Sequence, residues 1–110
     1  MMGTNKTPEE KITELQMNIN YYCYMRIIAN NFTEKQLCEL YDEIFDNNTY
    51  CNGQFSIDTD ARGEKYEVKD SSIEVWVNQT RNGGYTGDDF AGDIYVKLND
   101  KEWLTWGYDC

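Results

Sequence analysis

Two short stretches hold the carboxylates that could do chemistry. Asp58-Thr59-Asp60-Ala61-Arg62-Gly63 opens like a calcium-binding loop, and Asp88-Asp89 sits in a segment with glycines at 83, 84, 87 and 92. Such a calcium loop needs an oxygen ligand at its fifth position and a bidentate glutamate at its twelfth. Arg62 and Lys69 occupy those two places, so Asp58–Gly63 reads as a hairpin turn. Two adjacent carboxylates can move a proton or hold Mg²⁺. Asp88 and Asp89 have no nucleophile or matched base beside them, and Arg81 is the only cation close in sequence. The glycines do not form a phosphate cradle, because no Lys-Ser/Thr pair and helix start follows them. Asn82-Gly83 is instead a hairpin-turn dipeptide. The loop at 79–92 therefore reads as a long twisted hairpin from which Tyr85 and Phe90 project.

Composition removes other chemistries. None of the 110 residues is histidine, so the commonest general base and metal ligand is absent. Cys23, Cys38, Cys51 and Cys110 show neither zinc-like nor redox-like spacing. Cys23 and Cys38 fall in amphipathic runs and read as core packers. The formal charge is −10, which argues against direct binding to a nucleic-acid backbone and favours a basic protein partner. No stretch approaches the roughly 18 apolar residues of a membrane span. The first residues lack the apolar core of a secretion signal, and the chain is expected to be cytoplasmic.

The elements that must position these groups are legible from periodicity and caps. Thr7-Pro8-Glu9-Glu10 is a capping box with proline at the first helical position. Ile12, Leu15, Ile19, Tyr22, Cys23 and Ile27 follow mostly at spacings of three and four, which predicts one helix over 8–30. Thr33 and Gln36 form a second box, opening a helix over 33–46. It has Leu37, Leu40, Tyr41, Ile44 and Phe45 on one face and Glu34, Glu39, Asp42, Glu43 and Asp46 on the other. After the turn-rich 46–53 the period becomes two. Phe55/Ile57, Tyr66/Val68, Ile73/Val75/Val77, Ile94/Val96/Leu98 and Leu104/Trp106 mark successive strands.

The expected fold is a single α+β domain over 1–110. An N-terminal antiparallel helical hairpin (8–46) packs on one face of a four- to five-stranded antiparallel β-meander (54–108). The sheet's other face would then carry Trp76, Tyr95 and Trp103 among polar neighbours, open to a partner or to a second copy.

Small size, negative charge, missing histidine and exposed aromatics resemble, as a type and through no motif, phage anti-defence and toxin-immunity proteins. The expected function is a non-enzymatic inhibitor without cofactor or metal. It would block a basic surface of a nuclease, a nucleic-acid-binding enzyme or a toxin. Trp76, Arg81, Tyr85, Asp88, Asp89, Phe90, Tyr95 and Trp103 are the expected contact residues. The alternative is a small-ligand binder such as a nucleotide sponge, with an aromatic ring stacked on the base and Arg81 at the phosphate.

Because no workable ligand set exists in the sequence, EDTA is expected to leave the thermal midpoint unchanged. A fall of about 5 °C or more, the scale of a kcal/mol in a domain this size, overturns that expectation.

Overall fold

The structure is a computed structural model that describes residues 6–46, 54–81 and 91–109. Among them the chain forms three α-helices, α1 (Pro8–Asn18), α2 (Tyr21–Ala29) and α3 (Glu34–Tyr41). One π-helical turn, Asp42–Asp46, continues α3. Five strands follow: β1 (Phe55–Asp58), β2 (Glu64–Tyr66), β3 (Val75–Arg81), β4 (Ala91–Asn99) and β5 (Glu102–Asp109). The fold is α+β, with the helices N-terminal and packed against an antiparallel sheet.

Both capping boxes form: Thr7 and Glu10 bond reciprocally at the start of α1, and Thr33 and Gln36 do so at α3. The single helix expected over 8–30 is instead broken. Ile19 is extended (φ −92°, ψ 136°), and the Asn20 side chain accepts from the Cys23 N–H at 2.9 Å to start α2. The same side chain donates to the Phe55 carbonyl of β1 at 2.8 Å. That long-range bond is outside the reach of helical periodicity. With the break, the expected helical hairpin becomes a three-helix layer in which α1 packs on α3 and α2 meets β1.

Two faces shift as a result. Tyr22, expected in the core, is exposed because the break resets the helical phase. Glu43, expected in solvent, is buried because the wider π turn rotates it out of step with α3.

The core lies between helices and sheet. Leu15, Ile19, Cys23, Ile27, Leu37, Leu40 and Ile44 meet Val75, Ile94, Val96, Leu104 and Trp106 there. Strand order is β1-β5-β4-β3-β2. Thus β2 to β5 form the expected meander, and β1 is added beside β5 at the far edge. The segment 59–63 is therefore a crossover and not a hairpin turn.

Its path follows from the register. Glu64 is level with Val77, Ile94, Trp106 and Phe55, so the crossover returns to the row at which β1 began. Across a flat sheet, four strand spacings of about 4.8 Å and the three residues of return along the strands make a diagonal of about 22 Å. Six Cα steps reach only about 20 Å when extended. The sheet must therefore curl its two edges toward each other for this connecting strap to close. Arg62 and Asp58 both act electrostatically on the Tyr95 phenol, which places the strap over the face away from the helices.

The strap ends at Gly63, where φ is +85° and an added Cβ would meet the Val77 carbonyl oxygen at 2.1 Å. Both the left-handed backbone and the rigid neighbour exclude a side chain. Gly63→Ala is expected to cost more than about 2 kcal/mol and lower the thermal midpoint by roughly 10 °C. A midpoint within about 3 °C of the parent would mean that the strap is slack.

Candidate interaction surface

The sheet face away from the helices carries Trp76, Tyr95 and Trp103, as the alternation predicted, but they do not stand open. Tyr95 is 3% and Trp103 8% exposed, and Trp76 is half-buried. Trp76 and Trp103 meet edge to face at 6.0 Å. Lys97 lies over the Trp103 ring at 5.9 Å, and the Trp76 indole N–H donates to Glu74 at 2.8 Å. Burial, with Asp93 nearby, raises the Tyr95 phenol above its ordinary value. The rings therefore form a small second core on this face. The expectation that they stand exposed as an open patch fails for this reason.

Of the other expected contact residues, Arg81 ends β3. Tyr85, Asp88, Asp89 and Phe90, with Cys51 and Cys110, lie outside the described residues. A cavity of about 320 Å³ opens between β1 and β4–β5, with Ser56, Thr105 and Asp93 in its wall. Asp93 is its single ionisable group among the described residues, which is poor chemistry for a nucleotide phosphate.

The exposed apolar surface lies instead on α2. Its sequence, YYCYMRIIA, has Arg26 as its one charged residue. A helix apolar all round is ordinarily buried on all sides. Here Cys23 and Ile27 are buried, while Tyr21 (79% exposed), Tyr22, Met25 and Ile28 face outward. Met17, in the last turn of α1, is likewise 78% exposed. The signal for this surface was present in the sequence as an unbroken apolar run over 21–25 and 27–29 with too few polar positions for a solvated face.

Three ties from α2 and its caps to the sheet, with two supporting hydrogen bonds, hold the helix in this orientation. Asn20 fastens its start to β1. At its end, Arg26 pairs with Glu102 of β5. Asn99 donates to Glu102 at 2.9 Å and to Asn30 at 2.8 Å, and Asn30 donates back to the Arg26 carbonyl at 2.7 Å. The hydrogen bond from Arg26 holds the Glu102 carboxyl below the usual carboxylate range.

The outer face of α1 is acidic. Glu9, Glu10, Thr13, Glu14 and Met17 share the outer face of α1 at helical spacing. Each cation of the described helical layer is already paired: Lys6 with Glu14, Lys11 with Asp42, Arg26 with Glu102 and Lys35 with Glu39. Glu9 and Glu34 face no such partner among the described residues.

The two aromatic groups thus separate by mutation. Trp103→Ala is expected to lose about 3 kcal/mol of stability, as a buried indole does. Tyr21→Ser is expected to stay within about 0.5 kcal/mol, as an exposed substitution does. Equal losses in urea titrations would refute this division of core and surface.

Comparison of the chain with family models, with curated proteins and with solved structures finds no match in any of the three.

Proposed function

We propose that this chain is a small acidic, non-enzymatic inhibitor or interaction protein that covers a basic surface of a partner protein. Nucleases, other nucleic-acid-binding enzymes and toxins carry such surfaces, and a protein of the phage anti-defence or toxin-immunity type would meet them in the cytoplasm. One observation carries this reading: an outward apolar helix face on a chain of net charge −10, in a layer whose cations are all engaged by acids of this chain.

The division of labour is physical. A net charge of −10 steers a basic partner over distances of about a Debye length and raises the rate of encounter. Desolvated aromatic and methionine side chains then supply the short-range affinity. The same charge repels nucleic acid, so the chain and the partner's own nucleic-acid substrate compete for the partner's basic surface.

Immobilised chain incubated with a bacterial lysate should retain proteins enriched in basic isoelectric points. These should release between about 50 and 200 mM salt, as screening shortens. Retention that is flat over that range, or a retained set no more basic than the lysate, overturns the proposal.

A further inference from the structure

We infer that the outer face of α2 is a seat for a basic amphipathic α-helix of a partner protein, an inference that rests on the function proposed above. Tyr21, Met25 and Ile28 stand at i, i+4 and i+7, the spacing at which one helix presents anchors to another. The nine residues of α2 make a ridge about 13 Å long, matched by two to three turns of a partner helix.

The side-chain types fit such an occupant. Methionine is unbranched and polarizable, and adapts to differing apolar partners. Tyrosine gives a large apolar face with a hydroxyl that stays wet at the rim. The outer face of α1 exposes Met17 together with Glu9 and Glu10. With Lys6, Lys11, Arg26 and Lys35 engaged internally, the charged flank that complements this layer is cationic. An acidic helix would meet like charge there. A second copy would bring another −10 against the first.

The test uses the whole chain and defined synthetic peptides of about 18 residues, long enough to turn helical on binding. One has leucine at helical a/d/e-type positions and lysine elsewhere. A second has the same composition in scrambled order, and a third has glutamate for lysine. In fluorescence anisotropy the ordered leucine–lysine peptide should bind at least about tenfold more tightly than the scrambled one, and the glutamate peptide should not bind.

Tyr21→Ser with Met25→Ser should weaken the ordered peptide by about tenfold or more, and Tyr66→Ser on β2 should not. If that double variant fails to fold, Met17→Ser with Ile28→Ser makes the same test. Equal binding of ordered and scrambled peptides overturns the helix seat and leaves the basic-surface function standing. Failure of all three peptides, with salt-sensitive retention of basic proteins intact, does the same. A chain that sediments as a dimer, and becomes monomeric on Met25→Ser, overturns the inference in favour of a second copy.

Discussion

The five-residue crossover between β1 and β2 is the constraint on which the sheet's form depends. Because those strands occupy opposite edges, residues 59–63 can join them only if the sheet curls its edges toward each other. On the non-helical face of that sheet Tyr95 and Trp103 are buried among polar neighbours. Gly63 is the point where the strap meets β3 too closely for any side chain.

With that face closed, the helical layer decides what the molecule offers to others. Asn20 has two roles, capping α2 and bonding to the edge of β1. Its amide occupies a strand-edge carbonyl that would otherwise be open to pairing with another chain. The Arg26–Glu102–Asn99–Asn30 network fixes the other end of α2 to the β4–β5 turn. Held at both ends, the helix cannot roll its outer residues inward. The apolar ridge is thus imposed by polar bonds to the sheet.

Local features were legible in the sequence, and non-local ones were not. Capping boxes at Thr7 and Thr33 depend on residues three apart, and both were read correctly. Strand faces follow a period of two, so Val75, Ile94, Val96, Leu104 and Trp106 were assigned to the core face as found. The helix break at Ile19–Asn20 was missed because its cause is the Phe55 carbonyl, 35 positions away. Strand order was missed for a related reason. Asp58–Gly63 has good turn chemistry, and turn chemistry does not tell a hairpin from a crossover. Of the expected contact residues, the sequence placed Trp76, Tyr95 and Trp103 on the correct face but could not show what covers it. The α2 surface escaped because a single helical period over 8–30 picks out Ile12, Leu15, Ile19, Tyr22, Cys23 and Ile27 and gives Met17, Tyr21, Met25 and Ile28 no place.

An exposed ridge bearing Met17, Tyr21, Tyr22, Met25 and Ile28 is ordinarily a liability, since apolar patches drive non-specific association. Charge changes that balance in a partner-dependent way. Between two copies, each carrying −10, repulsion opposes the contact that the apolar ridge favours. Against a cationic surface the same charges change sign in their effect and add to the apolar term. Under the proposed function, the acidity of the chain and its exposed apolar ridge act as one device. Negative charge would then oppose self-association and favour a basic partner, a discrimination that neither feature achieves alone.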